Sequence, residues 1–395
     1  MNVLVFTTLY PNAEQPHHGI FVENRLRHVL AVSGYKAHVV APVPWFPSSN
    51  PRFGPYAAHA RVPKNEERHG LYVDHPRYPV IPRVGMSFAP YLLYLAARRH
   101  VRELCTHGKH FDVIDAHYFY PDGVAAALLG REFGLPVMIT GRGTDLNLIP
   151  RYALPRRAIQ WAAQQADALV TVCAALRDDL AAIGVDPQRV TVLRNGVDLD
   201  MFRRDEGARE RLRAELEPPV LLSVGHLIAR KGHELVIRAL AEIGRGSLII
   251  AGEGPEEGRL RAVAESLGIV DRIRFVGRIE HTQLPDYYSA ADVLVLASRR
   301  EGWPNVLLES MACGTPVVAT GVNGTPEVVR APEAGRIAES RTVVSIASAV
   351  ATVLAHQPKA CNVRQYAENF SWHATAMGQS DLLRQIVAKH GRVSR

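Results

Sequence analysis

Short apolar runs alternate with helical patterns along most of the chain. In the first half, Val3–Thr8, Ala37–Ala41, Val113–Ala116, Val137–Thr140 and Ala168–Val172 are near-continuous in aliphatic residues, the pattern of strands buried on both faces. Between them, Phe21–Ala31, Val124–Phe133 and Ala174–Ile183 carry helical spacing. Repeated strand–helix–strand units predict a parallel sheet covered by helices on both sides.

The pattern starts afresh after about residue 200. Strands are expected at Val220–Val224, Leu248–Ala251, Ile273–Val276, Val293–Leu296 and Pro316–Ala319. Helices are expected at Glu234–Ile243, Glu256–Leu267, Gln283–Ala290 and Asn305–Ala312. The fold class is therefore α/β, with two Rossmann-like, doubly wound domains. The turn signal Asn195-Gly196 and the breaker Pro218-Pro219 lie between the two sets, with a linker near 196–203. We place the first domain at 1–198 and the second at 199–371. The tail 372–395 reads as helical and is basic at its end. It is assigned to the first domain, although its periodicity does not show where it packs. Residues 42–90 differ: Pro42, Pro44, Pro47, Pro51 and Pro55 surround Trp45, Phe46 and Phe53, and strand and helix signals are weak. That segment is read as irregular, either a binding element or a packed excursion.

Composition narrows the function classes. The 395 residues are 47% hydrophobic and 22% charged, a balance that permits large cores and argues against disorder. Net charge is +7, but it is dispersed, with no block of five or six Lys/Arg, which argues against a nucleic-acid face. Anionic small molecules or a membrane surface remain as uses for that sign. Cys105, Cys173, Cys313 and Cys361 form no CxxC pair, so neither zinc ligation nor a disulfide framework is implied. The N-terminus lacks a basic segment and meets Pro11 early, unlike a signal peptide. The expectation is a reduced, cytoplasmic protein without a membrane span.

In open α/β sheets, ligands bind outside the carboxyl ends of the strands. One such loop leads from Val293–Leu296 to a helix expected to begin at Pro304 and to stop at Gly314. The N–H groups of Asn305, Val306 and Leu307 are expected as unpaired donors at that helix start, a natural phosphate site. Glu301 precedes the helix, and Glu309 lies roughly 7 Å along its axis. Two carboxylates flanking a diphosphate suit a nucleotide sugar, with one for sugar hydroxyls and one for ribose hydroxyls. Taken singly, each Glu reads more readily as an exposed residue, and it is the pair, with Glu309 in an otherwise apolar helix, that points to a site.

The stretch Glu301-Gly-Trp-Pro-Asn-Val-Leu-Leu-Glu309-Ser-Met-Ala-Cys-Gly-Thr-Pro-Val-Val-Ala resembles the E-x7-E signature of glycosyltransferase family 4. The resemblance implies the GT-B fold of two Rossmann-like domains facing across a cleft. It also implies transfer with retention of anomeric configuration, no divalent metal and no cofactor beyond a nucleotide-sugar co-substrate. Carried over, Glu301 meets donor-sugar hydroxyls and Glu309 the ribose.

Other loops extend the resemblance. Val224-Gly-His-Leu-Ile-Ala-Arg-Lys231-Gly232 is similar to the family's Gly-Arg-Leu-x-x-x-Lys-Gly, whose Arg and Lys hold the diphosphate. Lys231 matches; His226 replaces the Arg, and Arg230 is a candidate to compensate. Gly19, in the loop Pro11–Phe21, matches a glycine facing the diphosphate. Asp115-Ala-His117 resembles the His-x-His loop, which implies that His117 approaches the donor sugar; Asp115 replaces the first His. Thr140-Gly-Arg142-Gly-Thr-Asp145 resembles Thr-x-His-Gly-x-Asp, with Arg142 in the His position. Arg142 and Asp145 are candidates for leaving-group or acceptor contacts, and Asp145 reads equally as a helix cap. The resemblance thus assigns catalytic roles to Lys231, Glu301 and His117.

Two motifs are set aside. Gly252-Glu-Gly-Pro-Glu-Glu-Gly258 lacks dinucleotide-fingerprint spacing and carries the wrong charge for a pyrophosphate. Asp198-Leu-Asp200 looks like a metal motif but belongs to the linker.

The expected activity is transfer of a hexosyl group from a UDP- or GDP-sugar to a glycan or lipid-linked acceptor. The family's bacterial exopolysaccharide and teichuronic-acid-type members place it in cell-surface polysaccharide biosynthesis. The alternatives are a UDP-sugar 2-epimerase of the same fold and a non-catalytic nucleotide-sugar-binding partner subunit. Arg83, Arg98, Arg99, Arg102, Arg151, Arg156 and Arg157, with the aromatics at 45–53, are candidates for peripheral contact with the anionic inner face of the cell membrane.

Overall fold

The structure, a computed structural model, describes residues 1–80 and 85–393. The chain divides into two compact units: Met1–Arg194 with His373–Arg395, and Asn195–Trp372. The break falls four residues before the boundary read from the sequence. The reason is local: Val197 bridges to Ser371, and its N–H donates to the Phe370 carbonyl at 2.9 Å, which ties the linker into the second unit.

In the first unit, eight strands among the described residues form one sheet. Their order is Val190–Val192, Ala168–Thr171, Val137–Gly141, Val113–His117, Asn2–Phe6, Lys36–Val40, Leu71–Asp74 and Asn65–Arg68. All neighbours are parallel except the last pair. That antiparallel hairpin is a correction to the sequence reading, which leaves 42–90 irregular. Residues 43–44 also pair with 77–78, and a helix runs over Gly85–Thr106. The edge strand Asn65–Arg68 is wholly polar and has no buried residue, so no apolar alternation marks it. Arg83 lies outside the described residues.

Val3, Val5, Val39, Val113, Met138 and Val170 of the sheet pack with Val22 and Leu26 of the helix Ile20–Ser33. Leu383 and Ile386, on the C-terminal helix Trp372–Val393, join the same core. Burial of these two side chains docks the tail helix on the first unit, a contact worth roughly 1.5–3 kcal/mol per fully buried residue.

The second unit holds a parallel sheet of six strands among the described residues. The order is Ile273–Gly277, Ser247–Ala251, Val220–Val224, Val293–Leu296, Val317–Thr320 and Gly335–Ala338. The strand order reverses between Val220–Val224 and Val293–Leu296. The loops leaving these two strands are Gly225–Gly232 and Ala297–Pro304, and a topological switch of this kind opens a crevice for a ligand. In the first unit the reversal lies between Asn2–Phe6 and Val113–His117. Among the described residues, no helix is long and apolar enough to cross a membrane.

Candidate active site

In the second unit, the loop Gly225–Gly232 is drawn onto the end of the neighbouring strand. Gly232 has φ +74°, and a Cβ there would lie 2.1 Å from the Ala297 carbonyl oxygen, so only glycine fits. This close approach carries Lys231 to Glu301, 70 residues away in sequence. Lys231 Nζ donates to Glu301 Oε1 at 2.7 Å, and Ser298 Oγ donates to the same oxygen at 2.6 Å. Arg230 Nη1 stands 3.8 Å from Glu301 Oε2 and donates to the Arg300 carbonyl at 2.9 Å. The Glu301 backbone N–H donates to Asn323 Oδ1 at 3.3 Å.

The Glu301 side chain is 8% exposed and that of Lys231 17%. Burial pushes the Glu301 carboxyl up, but the Lys231 charge and the Lys231 and Ser298 hydrogen bonds outweigh it and hold the group below its ordinary range. Glu301 therefore stays ionised at neutral pH, with its ammonium partner in place.

The helix after this loop spans Asn305–Ala312, so Pro304 caps it rather than occupying its first turn. The expected row of unpaired donors is also corrected. Asn305 N–H donates to the Trp303 carbonyl at 3.1 Å and Leu307 N–H to the Pro304 carbonyl at 3.0 Å, in tight turns that use both groups. No such bond engages Val306 among the described contacts. Leu307 is buried, whereas Val306 is half-buried.

Glu309 is buried one turn into the helix, among apolar neighbours. Tyr288 Oη donates to its Oε2 at 2.7 Å, and His281 Nε2 lies 3.4 Å from its Oε1. Burial alone would lower the His281 pKa, but the hydrogen bond and charge of Glu309, with Asp198, raise it above the ordinary value. The Phe202 ring packs edge-on against His281 at 5.2 Å. Tyr288, His281, Ser298 and Asn323 escape a reading by motif. They are single polar residues whose relevance depends on where the chain returns.

His226 is exposed. The Gly252–Gly258 turn docks on the same loop, since Leu227 N–H donates to the Glu253 carbonyl at 2.9 Å. Asp198 Oδ1 accepts from the N–H groups of Asp200 and Met201 at 3.1 and 2.9 Å, a turn rather than a pair of metal ligands. Among the described residues, no cluster of three or more His, Cys, Asp or Glu is arranged to hold a metal ion.

In the first unit, the remaining candidates gather at its own strand switch. Gly19 has φ +70° and caps the helix Ile20–Ser33; a Cβ there would lie 2.3 Å from the Leu9 backbone. Its side-chain-free surface is thus filled by its own chain. His117 and Arg142 are buried, and Arg142 Nη2 donates to His117 Nδ1 at 2.8 Å. Asp115 Oδ2 stands 3.6 Å from His117 Nε2. Burial first, then the positive charges of Arg142 and Arg25, push the His117 pKa well down, so the ring is neutral.

Asp145 accepts backbone N–H bonds from Phe119 at 2.7 Å, Gly143 at 2.7 Å and Arg142 at 3.2 Å. It ties two strand-end loops together. Asp122, which no motif marks, binds the Thr8 backbone N–H and accepts from Thr8 Oγ1 at 3.1 Å. Burial pushes its carboxyl up to about 7, against the Thr8 bonds.

Comparison with known proteins bears on this geometry. Residues 24–201 match the family described as Glycosyltransferase Family 4, and residues 205–370 match Glycosyl transferases group 1. A D-inositol 3-phosphate glycosyltransferase from Geodermatophilus obscurus is 31% identical, over 78% of this chain and 74% of the relative. A GDP-mannose-dependent alpha-(1-6)-phosphatidylinositol monomannoside mannosyltransferase from Mycobacterium tuberculosis is 33% identical, over 48% of this chain and 54% of its own. Among solved structures, sucrose-phosphate synthase from Thermosynechococcus elongatus superposes with a TM-score of 0.80 at 22% identity, covering 98% of this chain and 99% of that one. With both halves matched and a relative 31% identical over most of its length, the chain belongs to glycosyltransferase family 4 and is a glycosyltransferase of the GT-B fold.

Proposed function

We propose that the protein transfers a hexosyl group from a nucleotide-diphosphate sugar, UDP- or GDP-linked, with retention of configuration and without a divalent metal. The acceptor is a glycan or lipid-linked hydroxyl in cell-surface polysaccharide synthesis. The observation that carries this reading is the Lys231–Glu301 pair, 2.7 Å apart at the strand switch of the second unit.

In this reading the bond from the anomeric carbon to the diphosphate oxygen breaks, and negative charge grows on that oxygen. A fixed ammonium at Lys231 lowers the barrier because it is already oriented when the charge develops. Glu301 accepts hydroxyls of the donor sugar, and Glu309, held by Tyr288, accepts those of the ribose. The acceptor oxygen bonds to the anomeric carbon on the face that the diphosphate leaves, and its proton passes to the departing phosphate oxygen. By the family resemblance His117 approaches the donor sugar, and the Arg142 cation is a candidate for a leaving-group or acceptor contact. The nucleotide-sugar donor is further supported by the mannosyltransferase relative, whose name states GDP-mannose dependence.

A donor screen by thermal shift with UDP-glucose, UDP-galactose, UDP-GlcNAc and GDP-mannose identifies the ligand, because binding to the folded state raises the melting temperature. With that donor, Lys231→Ala lowers kcat/KM by roughly 100-fold or more, and Glu309→Ala raises donor KM. Excess EDTA leaves the rate unchanged. Normal turnover by Lys231→Ala, or acceptor-free conversion of the sugar nucleotide, overturns the reading.

Peripheral membrane contact is part of the proposal. Phe88, Tyr91 and Leu95 are exposed on the helix Gly85–Thr106. Of the arginines on that helix, Arg98 and Arg102 converge on Glu132 and Arg99 pairs with Glu103. The surface is therefore less cationic than its arginine count. Co-sedimentation with acidic but not neutral vesicles at moderate salt is the expected result.

A further inference from the structure

The first unit contains a continuous buried chain of polar side chains in which the motif residues Asp115, His117 and Arg142 are joined by Arg25 and Gln379, which belong to no motif. It begins on the helix Ile20–Ser33, where Arg25 is fully buried. Arg25 Nη1 donates to the Leu193 carbonyl at 3.0 Å, and its Nε donates to Gln379 Oε1 on the C-terminal helix. Gln379 Nε2 donates in turn to Asp115 Oδ2 at 2.6 Å, across 264 residues of sequence. The same Asp115 oxygen faces His117 Nε2 at 3.6 Å, and His117 Nδ1 accepts from Arg142 Nη2 at 2.8 Å.

The chemistry of the two ends sets every orientation between them. A guanidinium carries donors only. Arg25 therefore requires the Gln379 oxygen on its side, which turns the Gln379 NH2 toward Asp115. Arg142 likewise requires His117 Nδ1 as an acceptor. The single proton of the neutral ring then sits on Nε2, the nitrogen that faces Asp115. Asp115 Oδ2 is thus the group that both Gln379 and His117 address.

An aliphatic side chain in the same place would leave Arg25 Nε and Asp115 Oδ2, both buried, without these partners. Both ends of the Gln379 amide are bonded here. On this helix it is the side chain that joins the Arg25 guanidinium to the Asp115 carboxylate.

We propose that Gln379 is a positioning residue for the transfer reaction: it orients Asp115 toward His117 Nε2 and, through that carboxylate, holds the ring in register. This inference rests on the reading above in which His117 serves the donor sugar. The electrostatics agree with the geometry. Burial pushes the Asp115 carboxyl up to about 6, against the pull of Arg25 and Arg142 and the Gln379 hydrogen bond. The groups facing Asp115 are Arg25 from the first helix, Arg142 from the loop after Val137–Gly141, His117 on its own strand and Gln379 from the tail. Removing the Gln379 donor raises the Asp115 pKa further, and less of it is ionised at neutral pH.

Two variants test this. Gln379→Met removes both hydrogen bonds at nearly constant shape. Gln379→Glu keeps an acceptor for Arg25 and replaces the donor to Asp115 with a second carboxylate, so it remains informative if the first variant fails to fold. Each is expected to lower kcat roughly tenfold, the effect of one hydrogen bond to a charged group, with donor KM within about twofold. The acidic limb of the kcat–pH profile moves to higher pH by roughly one unit. Combining either with Asp115→Asn costs no more than Asp115→Asn alone.

Wild-type kcat in both variants overturns the assignment, as does a loss of kcat with an unmoved pH profile. His117→Ala separates this from the underlying reading. If His117→Ala loses kcat while the Gln379 variants keep theirs, only the positioning role falls. If His117→Ala keeps full kcat, the role of His117 falls and the role of Gln379 with it.

Discussion

Replacing Lys231 with methionine keeps most of the unbranched side chain and removes its charge. The wild-type Nζ and the Glu301 oxygen are 2.7 Å apart, with 17% and 8% of the two side chains exposed. The gross Coulomb attraction at that distance is about 6 kcal/mol for an effective dielectric near 20. Desolvation cancels much of it, and removing one partner of a buried pair typically costs ~3–5 kcal/mol because the other charge is stranded. Ser298 and Arg230 stay with the Glu301 carboxylate. Lys231→Met should therefore lie at or below the bottom of that range, at about 2–3 kcal/mol, or roughly 5–10 °C in melting temperature.

Glu301→Gln in the Lys231→Met background removes the stranded charge, so the double variant should recover about 1–2 kcal/mol relative to the sum of the singles. The pH dependence has a definite sign. Glu301 is held below its ordinary pKa of 4.5, so the pair's contribution is present above that value and is lost as pH falls through the folded-state pKa. The gap between wild type and Lys231→Met should be constant from pH 6 to 8 and close in acid. Urea unfolding across that range measures it. Additive single and double variants, or a gap that does not narrow at all as the solution is acidified, would refute an ionised, Lys-paired Glu301.

Three further outcomes follow from other contacts. Gly232→Ala forces a Cβ toward the Ala297 carbonyl at a positive φ and should cost roughly 2–4 kcal/mol; a melting temperature within 1–2 °C of wild type, measured by calorimetry, contradicts the close approach (about 0.5 kcal/mol or less). His281 has a raised pKa beside Glu309, so its stabilisation is complete below about pH 6.5 and fades as pH rises through the folded value. The melting-temperature difference between wild type and His281→Gln should accordingly be larger at pH 6 than at pH 8.5, and an equal difference argues against the pair. Leu383→Ala opens a void in the first unit's core and should lower stability by ~2–4 kcal/mol in urea titration; a neutral result means the tail helix is not docked through that residue.

Much of the fold is legible in one dimension because burial on both faces writes itself into composition. Val220–Val224, Val293–Leu296, Val124–Phe133 and Asn305–Ala312 occur with the bounds that periodicity predicts. The Asn65–Arg68 strand escapes because it is a polar edge whose partners are backbone groups, and backbone hydrogen bonding leaves no trace in side-chain pattern. The glycines of the loops are visible as letters, but the reason for Gly232 is a carbonyl 65 positions later in the chain.

By itself, the sequence determined the alternation of strand and helix, the two-part organisation, and the resemblance that singles out Glu301, Glu309 and Lys231. Local chemistry suffices for these, since each depends on neighbours within a helix turn or a strand. Only the tertiary structure decided that Lys231 and Glu301 neutralise each other, that Tyr288 and His281 address Glu309, and that Gln379 reaches Asp115. Those pairings join residues 21 to 264 positions apart. They arise because crossover connections and the returning tail helix bring distant segments together, and no period along the chain records which segments will meet.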